Sequence, residues 1–176
     1  MTDMVRAMNP TATITTEAEA KAAARASAIA IFLGVGWGII GVVWVMGPGA
    51  AVMEAAMSEA MASSPEAANM AGMMTGLALW GSIFLIAVQM AVGLFQWFKP
   101  NIVIPIVFII LVAYGLVMAA LGLFMAGQLD PAVAPAAMPG WQTWGGIAVL
   151  VVQLILHIAG IRGANALKKF SDAQAY

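Results

Sequence analysis

The sequence predicts an all-α integral membrane protein: a four-helix bundle, N-in and C-in, built from two tandem two-helix hairpin repeats. Three observations predict it. The composition is too apolar for water, the chain contains four apolar runs of spanning length, and every cation falls on one side of a four-span topology.

Of the 176 residues, 63% are hydrophobic and only 9% are charged. Soluble domains carry about a quarter charged residues, so a water-solvated fold could not hide this much apolar surface and lipid must be the solvent. The net charge of −1 gives no electrostatic reason to expect a nucleic-acid partner. The absence of cysteine excludes disulfides, thiolate metal sites and cysteine nucleophiles. Fourteen methionines are many for this length, and flexible thioethers read first as packing material.

The chain opens with a cytoplasmic segment, residues 1–25. Up to Thr15 it reads as irregular, with Met4, Val5 and Met8 as its sticky positions. Thr16 and Glu19 then have the spacing of a capping box, and Glu17, Lys21 and Arg25 follow at i, i+4. A helix is expected to start near Glu17 and run into the first span. The membrane domain, 26–166, holds spans at about 26–47, 74–98, 102–127 and 143–166. Each meets or exceeds the roughly 20 residues needed to cross about 30 Å of hydrocarbon. None contains Lys, Asp or Glu, and Arg162 lies in the last turns of the fourth. A charge at the bilayer centre costs at least ~2.5–3.5 kcal/mol, so spans are expected to exclude it. Residues 48–73 form an outer interfacial loop, and 167–176 a cytoplasmic tail.

Orientation follows from the seven Lys and Arg residues. Arg6, Lys21 and Arg25 precede the first span, Lys99 sits in the second loop, and Arg162, Lys168 and Lys169 close the fourth span. The first loop carries Glu54, Glu59 and Glu66 and the third Asp130, with no cation in either. The positive-inside rule therefore places both termini in the cytoplasm. Trp44, Trp80, Trp141 and Trp144 fall at the outer interface and Trp97 at the inner one, as an aromatic belt would. The first apolar run exceeds the ~7–15 residues of a cleavable signal core. A bacterial-style inner membrane is the expected home.

An internal repeat underlies the hairpin reading. Trp80-Gly81-Ser82-Ile83 leading to Val88-Gln89 matches Trp144-Gly145-Gly146-Ile147 leading to Val152-Gln153 at identical spacing. Small residues recur at 4-then-3 spacing as Gly34, Gly38 and Gly41 in the first span and as Gly115, Ala119 and Gly122 in the third. These two sets are the candidate helix-packing faces, since missing side chains let backbones approach. Parallel copies would be related by an axis along the membrane normal, with Gln89 and Gln153 facing across it.

The candidate ligand-binding residues are the polar groups inside the spans: Gln89, Tyr114, Gln153 and His157. Gln153 and His157 share one face of the fourth helix, and Gly93 matches His157 in the repeat alignment, leaving room for the ring. Such a set fits a haem or a quinone head group; the plainer reading is interhelical hydrogen bonding without any cofactor. A single histidine cannot give bis-histidine haem ligation within one chain. Met53, Met57 and Met61 stand at i, i+4, i+8 in the outer loop as a weak Cu(I) candidate, against which stands an amphipathic helix lying on the membrane surface. Gly36-Trp37-Gly38-Ile39-Ile40-Gly41 matches a dinucleotide fingerprint as a string, but it lies inside a span without the strand-to-turn context that phosphate binding needs. No serine has a credible His and Asp on a common face, and no intramembrane carboxylate offers a proton relay.

These exclusions leave three readings. The first is a non-catalytic accessory, structural or assembly subunit of a larger membrane complex, partnered by lipid and by other integral membrane subunits. The second is a small haem- or quinone-binding electron-transfer protein. The third is a homo-oligomeric channel or transporter.

Overall fold

The computed structural model describes residues 4–63, 65–126, 128 and 139–174. Among them the chain is helical throughout, without strands. The helices are α1 (Met4–Met8), α2 (Glu17–Met46), α3 (Ala50–Ser63), α4 (Pro65–Phe98), α5 (Val103–Ala126) and α6 (Gly140–Gln174). Four of them, α2, α4, α5 and α6, contain stretches long and apolar enough to cross a membrane. Asp130 and most of the loop that carries it lie outside the described residues.

α2 begins where the capping chemistry puts it. Thr16 Oγ1 accepts from the Glu19 amide at 3.2 Å, and the Glu19 carboxylate accepts from the Thr15 and Thr16 amides at 2.8 and 3.2 Å. Two orphan donors of the first turn are thus satisfied, together with the amide ahead of them. With 30 residues α2 is roughly 45 Å long, more than the hydrocarbon requires. The loop between the first two spans is more helical than the sequence suggests. α3 fills most of it, and α4 starts at Pro65, well before the apolar run that begins near Met74.

The spans do not pack in a symmetric square. α2 and α6, first and last in the chain, share the most extensive interface; α4 packs on α2, and α5 packs on α6. α4 and α5, although joined by a turn at 99–102, barely touch. A two-fold relating the hairpins would make the α5–α4 interface repeat the α2–α6 interface, and that counterpart is not formed.

The core is concentrated at the end of the bundle where the chain termini lie. Ala20, Ala23, Ala24, Ala26, Ser27, Ala28, Ala30 and Ile31 are fully buried, which encloses this half of α2 on nearly every side. Opposite them on α6 are Gly160 and Gly163. A Cβ on Gly160 would stand 2.6 Å from Ser27 Cβ, and one on Gly163 would overlap the α2 backbone, 2.5 Å from the Ala23 carbonyl carbon and 2.7 Å from Ala24 Cα. The two backbones touch, as small-residue crossings in membranes allow. Towards the other end α2 emerges, with Ile39, Ile40, Val43 and Met46 roughly half exposed or more. The bundle is therefore tight at one end and splayed at the other.

The turn between α4 and α5 is locked by a residue the sequence did not single out. Gln96, fully buried, donates through Nε2 to the Asn101 carbonyl at 3.1 Å and accepts the Asn101 amide at 3.2 Å. Asn101 Oδ1 in turn accepts the Ile104 amide at 3.0 Å, satisfying an orphan donor at the start of α5. Arg25 of α2 closes the same corner. Its Nε donates to the Trp97 carbonyl at 3.2 Å, and its guanidinium lies 5.0 Å from the Trp97 ring centroid. A cation at a helix C-terminus and over an indole face is favourable on both counts.

The N-terminal segment is held by the chain itself. The Arg162 guanidinium donates to the carbonyls of Asn9 (3.2 Å), Pro10 and Ala12 (2.7 Å), while Ala7 of α1 is buried. Free ends of chains usually fray, and three charge-assisted bonds offset that tendency here. Arg162→Gln should release the segment. Limited proteolysis would then cleave between Arg6 and Lys21 faster than in the wild-type protein, by about one to two orders of magnitude for a loss of roughly 1.5–3 kcal/mol. Unchanged protection would show that α1 alone holds it.

Candidate functional site

The buried polar groups follow α2 from its enclosed half towards its exposed one. The first is His157. Its ring is fully buried, Nδ1 lies 2.9 Å from Ser27 Oγ, and it stacks on Phe108 of α5 at 5.4 Å between centroids and 29° between planes. Its Nε2 is buried with no hydrogen-bond partner. His157 thus joins α2, α5 and α6 by one hydrogen bond and one ring contact.

One turn further, Gln153 donates through Nε2 to the Ala30 carbonyl at 2.9 Å. This bond requires the bare Cα of Gly34, because a Cβ there would overlap the Gln153 amide nitrogen. Gln89 reaches the same place from α4, with Oε1 3.5 Å from that Cβ position. Gln89 and Gln153 therefore converge, although on Gly34 of α2 rather than across an axis. Gln153 is bonded and buried, whereas Gln89 is only partly covered and has no hydrogen-bond partner among the described residues.

Beyond Gln89, α2 and α4 diverge around a cavity of about 540 Å³. Trp37, Gly38, Trp44 and Leu79 line its walls, with Gln89, Ser82, Thr75 and Gln142 as polar groups. The Oε1 of Gln142 is buried and unpartnered. Trp37 is fixed by Gly145, whose missing side chain admits the indole, and by an edge contact with Trp141 at 6.0 Å and 76°.

The other sequence candidates fall as follows. Tyr114 is 64% exposed on α5, unlike the buried Gln153 and His157. Gly93 does not face His157; it makes room for Phe32 and Ile31 of α2, a Cβ there standing 2.7 Å from the Phe32 ring. Gly38 faces Ile86 at 3.0 Å and Gly115 faces Leu150 at 3.4 Å, while Gly41 and Gly122 have nothing within 4 Å of an added Cβ. Ala119 is half-buried. Met53 lines the cavity, and the side chains of Met57 and Met61 lie outside the described residues. Among the described residues no three His, Asp or Glu side chains are grouped as metal ligands.

Sequence reasoning missed Gln96, Gln142, Gly160 and Gly163. Gln96 and Gln142 lie at span ends, where amides are ordinary. Gly160 and Gly163 are spaced by three in a span already rich in small residues, and only the opposing run Ala20–Ser27 gives them meaning.

A helical bundle with four span-length apolar helices and a polar spine defines the class: a multi-pass membrane protein. Against known protein families, curated proteins and solved structures the chain has no match.

Proposed function

We propose that the protein is a non-catalytic accessory or assembly subunit of a larger membrane complex, lying in the inner membrane with both termini in the cytoplasm. The observation that carries this reading is the open side of the bundle. α4 and α5 leave a tight turn without packing on each other, and each carries small residues that face none of the other described residues. Gly76 and Gly81 on α4 and Gly122 on α5 have open space where a side chain would stand. In a membrane, helix association rests on close van der Waals packing at such positions, because lipid supplies no hydrophobic drive between helices. Spans of another subunit, seated on α4 and α5, complete the helix packing that this chain leaves unfinished.

The sidedness rests on the cations. Arg25, Lys99, Arg162, Lys168 and Lys169 all lie at the enclosed end of the bundle, the end that the positive-inside rule assigns to the cytoplasm. Two of them, Arg25 and Arg162, spend their donors on backbone carbonyls of this chain. They act as structural ties and not as reactive groups.

Native-mass analysis of the tagged protein, extracted from its own host in mild detergent, tests the proposal. The expected result is co-purification with unlike membrane subunits at fixed stoichiometry. A bare 18.2 kDa chain or a small homo-oligomer would overturn it.

A further inference from the structure

Inside a bilayer a side-chain amide has no bulk water to bond, so each one needs a partner from protein, ligand or trapped water. Most of the bundle's interior polar groups have found theirs. Gln153 holds the Ala30 carbonyl, Ser82 the Ala78 carbonyl, Gln96 the Asn101 backbone, and Ser27 the His157 ring. Gln89 has none among the described residues, and Gln142 Oε1 is buried without one. Gln89 and Gln142 line the same cavity, whereas the third unpaired group, His157 Nε2, lies apart from it on the ring held by Ser27 and Phe108.

The cavity's dimensions and chemistry narrow what fills it. Its volume of about 540 Å³ suits a small organic ligand. Among the described residues no charged one lines it, so a charged ligand would enter without a counter-charge from them. Gln89 sits at the deep end. Thr75 lies roughly 21 Å along α4 towards the outer end, at 1.5 Å per residue. Between them the wall is apolar apart from Ser82, whose hydroxyl is taken up by the Ala78 carbonyl, and it carries two indoles, Trp37 and Trp44. Ile40 and Leu85 on its lining are about half exposed, 47% and 55%, so the cavity communicates with the lipid phase. A phospholipid entering from the bilayer would keep its carbonyls at the interface and bring only methylenes to Gln89.

We propose that this cavity binds a neutral, membrane-dissolved ring bearing carbonyl groups, of the quinone class, with Gln89 as its deep hydrogen-bond partner. A ring carbonyl accepts from the Gln89 amide, the indole of Trp37 flanks the ring, and the apolar remainder extends along the wall past Trp44 towards lipid. The proposal is one of binding and includes no electron transfer. It is independent of the subunit reading, which concerns the outer faces of α4 and α5.

The test uses the full chain alone in phosphatidylcholine nanodiscs, with decylubiquinone as probe and tryptophan fluorescence quenching as readout. Wild type should show saturable quenching above the linear background of a partitioning quencher. Gln89→Leu, which keeps the volume and removes the amide, should raise Kd by about tenfold, the cost of one hydrogen bond in a dry site. Gly41→Phe puts a ring where a Cβ meets nothing within 4 Å, and it should abolish the saturable component while leaving the melting temperature near wild type. Linear quenching in the wild type, or one curve shared by wild type and Gln89→Leu, would overturn the proposal and leave the cavity to water or acyl chains. Neither result bears on whether the chain co-purifies with other subunits.

Discussion

Gly163→Leu should prevent the folded bundle from accumulating, and Gly163→Ala should lower its stability by about 1–3 kcal/mol, the range for overpacking a close-packed contact. The reason is geometric. The atoms that an added Cβ meets belong to the backbone of Ala23 and Ala24, which no rotamer change can move. α2 and α6 would have to separate, loosening the tight packing around Ala20–Ile31 and the Ser27–His157 bond one turn away. Thermal unfolding in detergent, followed by the monodisperse peak on size exclusion, reads the effect. Gly122→Ala is the control, because its Cβ would enter open space and should change little. Equal melting of the two alanine variants would mean that the helices do not cross this closely.

His157→Ala should cost about 2–4 kcal/mol, by analogy with large-to-small changes at fully buried sites. It removes a ring stacked on Phe108 and leaves the Ser27 hydroxyl without a partner. Replacing both polar partners together should behave differently. Ser27→Ala with His157→Phe keeps the ring volume and leaves no orphan, so the pair should recover most of the lost stability. Measuring both singles and the double gives the coupling between the residues as a cycle. Recovery identifies the histidine as a fastener between α2, α5 and α6. Failure of the double variant to recover would mean that the unpartnered Nε2 meets a need that packing alone does not.

The sequence made the four spans and the α2 cap legible, because apolar runs free of charge and a Thr–Glu pair at fixed spacing each have one physical meaning. It made Gln89, Gln153 and His157 conspicuous because amides and imidazoles are costly in hydrocarbon. It did not disclose which span packs on which. In a membrane the face against lipid is as apolar as the face against protein, so the periodic contrast that betrays a soluble helix's buried side is absent. Ala20–Ala30 and Gly160–Gly163 are consequently silent as a pair until folded together. Tyr114 shows the converse: a polar group within a span stands out in the sequence, yet its 64% exposure places it on the outside of α5. The letters match between α4 and α6 in Trp, Gly and Gln, but they do not show how differently the two helices pack. Gly145 is occupied by Trp37 while Gly81 has no neighbour, and nothing in the letters distinguishes them.

That the first and last spans are each other's main partner sets a timetable for biogenesis. During synthesis α2 enters the bilayer with its alanine-rich side uncovered, and α4 can cover only part of it. The matching surface lies on α6, made after α2, α4 and α5, so the bundle's tightest contact waits for the fourth span. A nascent chain stopped after α5 would hold an unsealed α2, and the quality-control machinery of the membrane would meet a three-span intermediate whose small-residue face is open to whatever helix diffuses past.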